Sequence, residues 1–151
     1  MQTNLTPQYL AGLVDGEGCI HLGTRKGTYR GRVTIGMTAV ALPLLELLKA
    51  QWGGSIYCSR PATERWSAAW VWSVQGAPSR PLLEAIAPFL VLKAEQARLA
   101  LEVEHIRANL PRRPNGSGAW TPEAQEKCER IKARLHELNA KGPRARTVEE
   151  S

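Results

Sequence analysis

Asp15-Gly16-Glu17-Gly18 places two carboxylates within three positions, at the end of a segment with helical spacing. Acidic groups there meet the negative end of the helix dipole and its unpaired carbonyls. The placement costs about 0.3–1 kcal/mol per exposed charge, and a divalent cation shared by carboxylate and carbonyl oxygens reverses the sign. Asp15 is the only aspartate in the chain. The same residues also fit a solvated acidic helix end with Gly16 or Gly18 in a left-handed conformation, and the local sequence leaves both readings open. For an ion, hard oxygen donors and the absence of a His/Cys cluster at zinc spacing favour Mg²⁺.

The elements that must position these groups follow from patterning. Thr6-Pro7 caps a helix expected from about Pro7 to Asp15, with Tyr9, Leu10, Leu13 and Val14 on one stripe. Alternation then sets Ile20, Leu22 and Thr24 against His21, Gly23 and Arg25. After a turn at Gly27 it sets Arg30, Arg32 and Thr34 against Gly31, Val33 and Ile35. This is a hairpin with one basic, polar face. The stretch VALPLLELLKAQW reads as a helix stopped by Gly53-Gly54. A second hairpin is expected from Ser55 to Arg60 and Arg65 to Gln75, with Trp70, Trp72 and Val74 toward the core and Ser67, Ala69, Val71 and Ser73 on the other face. Pro81 opens a helix ending near Pro88, and another runs from about Val91 to Asn109 on a stripe of Leu99, Val103 and Ile106. Residues 110–120 read as a linker. Thr121-Pro122-Glu123 caps a last helix to about Asn139, followed by a basic tail expected to be loose without a partner.

The fold class is therefore α+β, with helices on the apolar face of a four-stranded antiparallel sheet and its basic face open. The domain reading is a core over 1–109, a linker over 110–120, and a C-terminal helix and tail over 121–151 packed on the core as one domain.

Composition narrows the partner. With 151 residues, 43% hydrophobic and 23% charged, the chain reads as an ordinary soluble globular domain with no need of disulfides or a structural metal. Cys19, Cys58 and Cys128 form no CxxC pair, which excludes a zinc ribbon and suits free thiols in a reducing, cytoplasmic compartment. The first residues lack a basic region followed by an unbroken apolar stretch, and no segment has the length of a membrane span, so neither secretion nor membrane insertion is expected. The net charge of +6 favours a polyanion. Between Gly18 and Thr38 lie Arg25, Lys26, Arg30 and Arg32 with no acidic residue, and Arg112, Arg113, Lys141, Arg144 and Arg146 follow later. A basic β-ribbon suits the DNA major groove. The excess of arginine over lysine, 14 to 6, hints at a GC-rich, bacterial or phage setting.

Leu10-Ala11-Gly12-Leu13-Val14-Asp15-Gly16-Glu17-Gly18 closely resembles the signature of the LAGLIDADG homing endonucleases and related maturases. Outside the motif, Gly53-Gly54-Ser55-Ile56-Tyr57 is similar to the family's turn into its second hairpin. Ala87-Pro88-Phe89-Leu90-Val91-Leu92-Lys93 and Glu95-Gln96-Ala97 resemble its single-motif, homodimeric branch, as does Leu138-Asn139 with its basic sequel. The resemblance implies an αββαββα core whose four-stranded sheet binds double-stranded DNA. It implies a homodimer making metal-dependent double-strand breaks at a long, near-palindromic site, in the manner of enzymes of mobile introns. Two or more Mg²⁺ ions per dimer are implied, with Mn²⁺ or Ca²⁺ able to substitute in binding. Neither a membrane nor a small-molecule substrate is implied.

Carried over by position, Glu17 matches the metal-binding acid, the Gly16 carbonyl a second donor, Asp15 an acid that supports the turn more than the chemistry, and Lys93 a basic residue near the scissile phosphate. Met37 stands where the family often has a water-positioning glutamine. The chain has one copy of the motif and so supplies half a site. Ala11 and Gly12, with Leu10 and Leu13, suit close packing of two such helices across a two-fold axis; by local sequence alone they suit equally well packing within one chain.

For readout, the outward sets are His21, Gly23, Arg25, Arg30, Arg32 and Thr34, then Tyr57, Ser59, Arg60, Arg65, Ser67 and Ala69. Arginine's planar fork suits guanine O6 and N7, whereas Lys26, Arg112, Arg113, Lys141, Arg144 and Arg146 suit phosphates. His105 and His136 read as helix-surface residues. The alternatives are a non-cleaving DNA-binding regulator or an RNA maturase on the same fold, and a protein-interaction domain whose sheet binds no nucleic acid.

Overall fold

A computed structural model describes residues 4–140. Helix α1 (Pro7–Glu17) starts where Thr6 Oγ1 accepts the Tyr9 amide at 3.1 Å and Pro7 occupies the first turn, a position that needs no amide donor. It buries Leu10, Ala11 and Val14 completely, each leucine- or valine-sized burial contributing about 1.5–3 kcal/mol. The helix runs two residues beyond the expected end at Asp15 and passes directly into strand β1 (Gly18–Arg25). Neither Gly16 nor Gly18 takes a positive φ, so the left-handed helix end is absent. Gly18 is extended, and a Cβ there would lie 2.9 Å from Val14 Cα and 3.2 Å from the Thr34 carbonyl. Glycine is needed for this close approach.

β1 turns at Lys26-Gly27, both with positive φ as a two-residue hairpin turn of type I′ requires, into β2 (Thr28–Thr38). A 3₁₀ turn at Ala39–Ala41 leads to α2 (Leu42–Trp52), which ends at Gly53-Gly54 before β3 (Ser55–Arg60). β4 (Ala69–Gln75) starts four residues later than the expected Arg65. The strands are antiparallel in the order β1-β2-β4-β3. Register places Ile20 beside Val33, Val33 beside Val74, and Ile35 and Ile56 on either side of Trp72, on the face that forms the core with α1, α2 and α3 (Ser79–Ile86). The α+β class, four-stranded antiparallel sheet and αββαββα order expected from the sequence are what the chain adopts.

Helix α4 (Ala94–Ala108) crosses beneath β2, and Glu104 in it is 1% exposed. Its carboxylate accepts the Gly31 amide at 2.7 Å and the Arg107 guanidinium at 2.8 Å. Gly31 lies one residue beyond the last β2–β4 pair, so the carboxylate supplies the acceptor that β4 no longer reaches. Residues 110–120 form a tight loop bridged between Arg112 and Gly118. α5 (Pro122–Asn139), capped by Thr121, covers a second cluster of Tyr29, Leu99, Val103, Cys128, Ile131 and Leu135. At its end Asn139 donates to the Ile20 carbonyl at 2.9 Å, which brings residues 138–140 toward the end of α1.

Candidate active site and nucleic-acid interface

The helix expected to start at Val91 starts at Ala94, and the cause lies in α1. The Asp15 carboxylate accepts three consecutive amides, from Val91 at 2.7 Å, Leu92 at 3.1 Å and Lys93 at 3.0 Å. Amides held this way satisfy an acceptor that would otherwise face the negative end of its own helix. The Lys93 ammonium then donates to the Asp15 carbonyl at 2.6 Å. A cation on the last turn of a helix is where the macrodipole favours it, and two of its three donors remain for other partners.

Glu17 is exposed at the mouth of a cleft of ≈ 480 Å³ that also involves Gly16, Gly18, Lys93, Gln96 and Asn139. Among the described residues, no three His, Cys, Asp or Glu side chains gather to hold a metal ion. Near the end of α1 the described residues offer the exposed Glu17 carboxylate and the Gly16 carbonyl, hard-oxygen donors of the kind that suit a divalent cation such as Mg²⁺. A larger, mostly apolar cavity of ≈ 730 Å³ lies between β1 and α5, with His21 and His136 on its wall.

The outer face of the sheet carries the expected polar set. His21 pairs with Arg32, Gly23 with Arg30 and Arg25 with Thr28, while Thr34 pairs with Ser73 and Tyr57 with Val71 across β4. Lys26 sits at the exposed hairpin turn. Burial and then the Arg32 charge hold the His21 imidazole below its usual pKa. The His21 Nδ1 and Arg32 Nε are both buried without a hydrogen-bond partner among the described residues. Arg60 pairs with Ala69 beyond a bulge that displaces Ser59, whose hydroxyl donates to the Ala69 carbonyl at 3.3 Å.

Several expectations are corrected. Arg65 and Ser67 lie on the β3–β4 loop and not on a strand face, because Thr63 closes a turn there: its amide donates to the Trp66 carbonyl and its hydroxyl accepts the amides of Arg65 and Trp66. Leu10 and Ala11 are fully buried in this chain's own core and cannot face a second copy; Tyr9, Gly12 and Gly16 form the exposed face of α1, with Leu13 half-buried. Met37 pairs with Trp70 on the inner, apolar face, so it does not stand where a side chain could orient water. Arg112 and Arg113 are exposed on the loop before α5. Lys141, Arg144 and Arg146 lie outside the described residues.

Sequence reasoning missed Gln75, exposed opposite Arg32 on the outer face, although the alternation through Ala69, Val71 and Ser73 pointed to it. It also missed Trp66, for which no periodic signal existed.

No family model matches the chain, and no curated protein matches it. Solved structures do. The homing endonuclease I-CvuI, in complex with its target in the presence of Ca, superposes with a TM-score of 0.69 at 21% identity over 95% of this chain and 88% of that one. I-TnaI, also a homing endonuclease, gives 0.61 at 20% identity over 98% and 99%. The LAGLIDADG homing endonuclease I-SmaMI bound to cleaved DNA gives 0.67 at 18% identity over 93% of this chain but 47% of that one. With α1 formed by the signature segment and the two hairpins in this order, the chain has the fold of the LAGLIDADG homing endonucleases.

Proposed function

We propose that the chain is a site-specific DNA endonuclease that acts as a homodimer and makes divalent-metal-dependent breaks in both strands of a near-palindromic duplex. The observation that carries this reading is the exposed Glu17 carboxylate at the end of α1, beside a lysine that Asp15 fixes in place and at the edge of a basic sheet face.

Each protomer lays its outer sheet face in the major groove, with Arg30, Arg32 and Gln75 aimed at base edges and Lys26 at a phosphate. The exposed strip of Tyr9, Gly12 and Gly16 meets the same strip of a second copy. Gly12 and Gly16 suit that approach, since a Cβ at either position meets nothing within 4 Å in the single chain. This pairing brings two Glu17 carboxylates together with the scissile phosphates between them. A divalent ion held by Glu17 and the Gly16 carbonyl, when bound, supplies Lewis-acid stabilisation of the leaving 3′-oxygen and lowers the pKa of water. The Lys93 ammonium faces the charge that develops on the phosphate, and Asp15 keeps it in register as a positioning residue. The dimer and its ions depend on one another, because two like charges share one cleft.

Plasmid cleavage in Mg²⁺ by the wild-type chain and by Glu17→Gln tests the reading. Cutting by the first and binding without cutting by the second is the expected result; equal cutting by both overturns it.

A further inference from the structure

We propose that Trp66, on the loop between β3 and β4, stacks against the DNA duplex near the middle of its target; this rests on the endonuclease reading above. Trp66 is 58% exposed, unusual for a residue with so large an apolar side chain. The loop that presents it is built, with the Thr63 amide donating to the Trp66 carbonyl at 2.8 Å and the Arg60 guanidinium donating to the Ser67 carbonyl at 2.9 Å. Arg60 also lies 5.7 Å from the centre of the indole ring, which orients it and adds positive charge beside it. Arg65 adds a second positive charge, against Glu64 alone on the other side of the balance within this loop.

Register gives the loop its place. Thr38 pairs with Ala69, and the Ala39 amide donates to the Ala68 carbonyl at 3.0 Å, so the loop is tied to the end of β2. β1 leaves α1 at that same end, where Gly18 pairs with Ile35. Trp66 therefore stands toward the Glu17 end of the sheet and away from the Lys26-Gly27 turn. The polar outer face runs into the loop through Arg60 and Ala69, so whatever polyanion covers the face meets the indole next.

An intact base stack offers no free ring face. Contact of this kind needs a step that opens cheaply, and pyrimidine–purine steps open most readily. Trp66 thus makes the inner part of the site sensitive to deformability as well as to base edges.

The test starts with a randomised duplex library, selected on the wild-type chain in Ca²⁺. The enriched duplex is then bound to wild type, Trp66→Ala and Trp66→Phe. Trp66→Ala is expected to bind about tenfold more weakly, the scale of one base–aromatic stack, with Trp66→Phe close to wild type, and with melting temperature and salt slope unchanged. Reselection on Trp66→Ala is expected to lose the preference for flexible steps at inner positions while keeping the flanks. Wild-type affinity for Trp66→Ala, equal losses at inner and outer positions, or weakening that follows a lowered melting temperature overturns the inference. Failure of the wild-type chain to enrich any sequence overturns the endonuclease reading itself, and this inference with it.

Discussion

Asp15 holds the segment carrying Lys93 with both its side chain and its backbone: the carboxylate accepts the Lys93 amide at 3.0 Å while the carbonyl accepts the Lys93 ammonium at 2.6 Å. Lys93, the lysine proposed to face the phosphate, is thus part of one joint between the end of α1 and the start of α4, with Glu17 two residues beyond Asp15.

Asp15→Asn keeps the shape but weakens acceptance of the three amides. A loss of about 1–3 kcal/mol in stability is expected, the range for charge-assisted hydrogen bonds, together with slowed cleavage and nearly normal DNA affinity. Urea melts and single-turnover cleavage check this; an unchanged unfolding midpoint contradicts it.

The glycines of α1 separate folding from association. Gly18→Ala drives a methyl to 2.9 Å from Val14 Cα, a backbone atom with little room to move, and is expected to cost about 1–3 kcal/mol. Gly12→Ala meets nothing within 4 Å in the single chain and is expected to raise monomer stability by up to about 1 kcal/mol through helix propensity. Gly12→Leu is expected to leave the fold intact and weaken the dimer, as sedimentation equilibrium would report. Equal dimer affinity for wild type and Gly12→Leu would place the interface elsewhere.

His21 predicts a pH dependence. Its pKa is lowered in the folded chain by burial and by Arg32, so the unfolded chain takes up the proton more readily. The stability contributed by the neutral ring is complete above the unfolded value of about 6.5 and is lost as pH falls below it toward the folded value. Melting temperature measured against pH should fall less steeply on the acid side for His21→Gln than for wild type. Superimposable profiles would contradict the assignment.

Much of this was legible in the sequence, and the remainder was not for identifiable reasons. Thr6-Pro7, the alternation of Ile20, Val33 and Ile35, and the Gly53-Gly54 stop are local signals, and local signals survived folding. Asp15 was expected to support a turn, but its partners lie 76 to 78 residues away and no periodicity could name them. The reach of α1 to Glu17 was hidden because Gly16 and Gly18 suggest a left-handed stop, whereas Gly18 is needed for close packing against Val14. The facing of Met37 follows from its β2–β4 pairing with Trp70. Leu10 and Ala11 looked free for a partner only while the chain's own core was out of view.

Arg30 and Gln75 should differ from Lys26 in what they control. Arg30→Ala or Gln75→Ala is expected to relax preference at one position of each half-site by about 1–3 kcal/mol, while Lys26→Ala weakens binding to all sequences and lowers the salt slope by about one. Binding titrations at several salt concentrations on a selected duplex and its single-base variants distinguish the two. A uniform loss for Arg30→Ala would move it to the phosphate-contacting set.

The most direct test of the central claim, that each chain supplies half of a shared acidic centre, is cleavage by mixed dimers purified after co-expression of wild-type and Glu17→Gln chains carrying different tags. A disabled half should leave its strand intact, so the account predicts that mixed dimers nick supercoiled plasmid in Mg²⁺ without linearising it. Linearisation at the rate of the wild-type dimer, or full activity from a chain that stays monomeric on DNA, would contradict it.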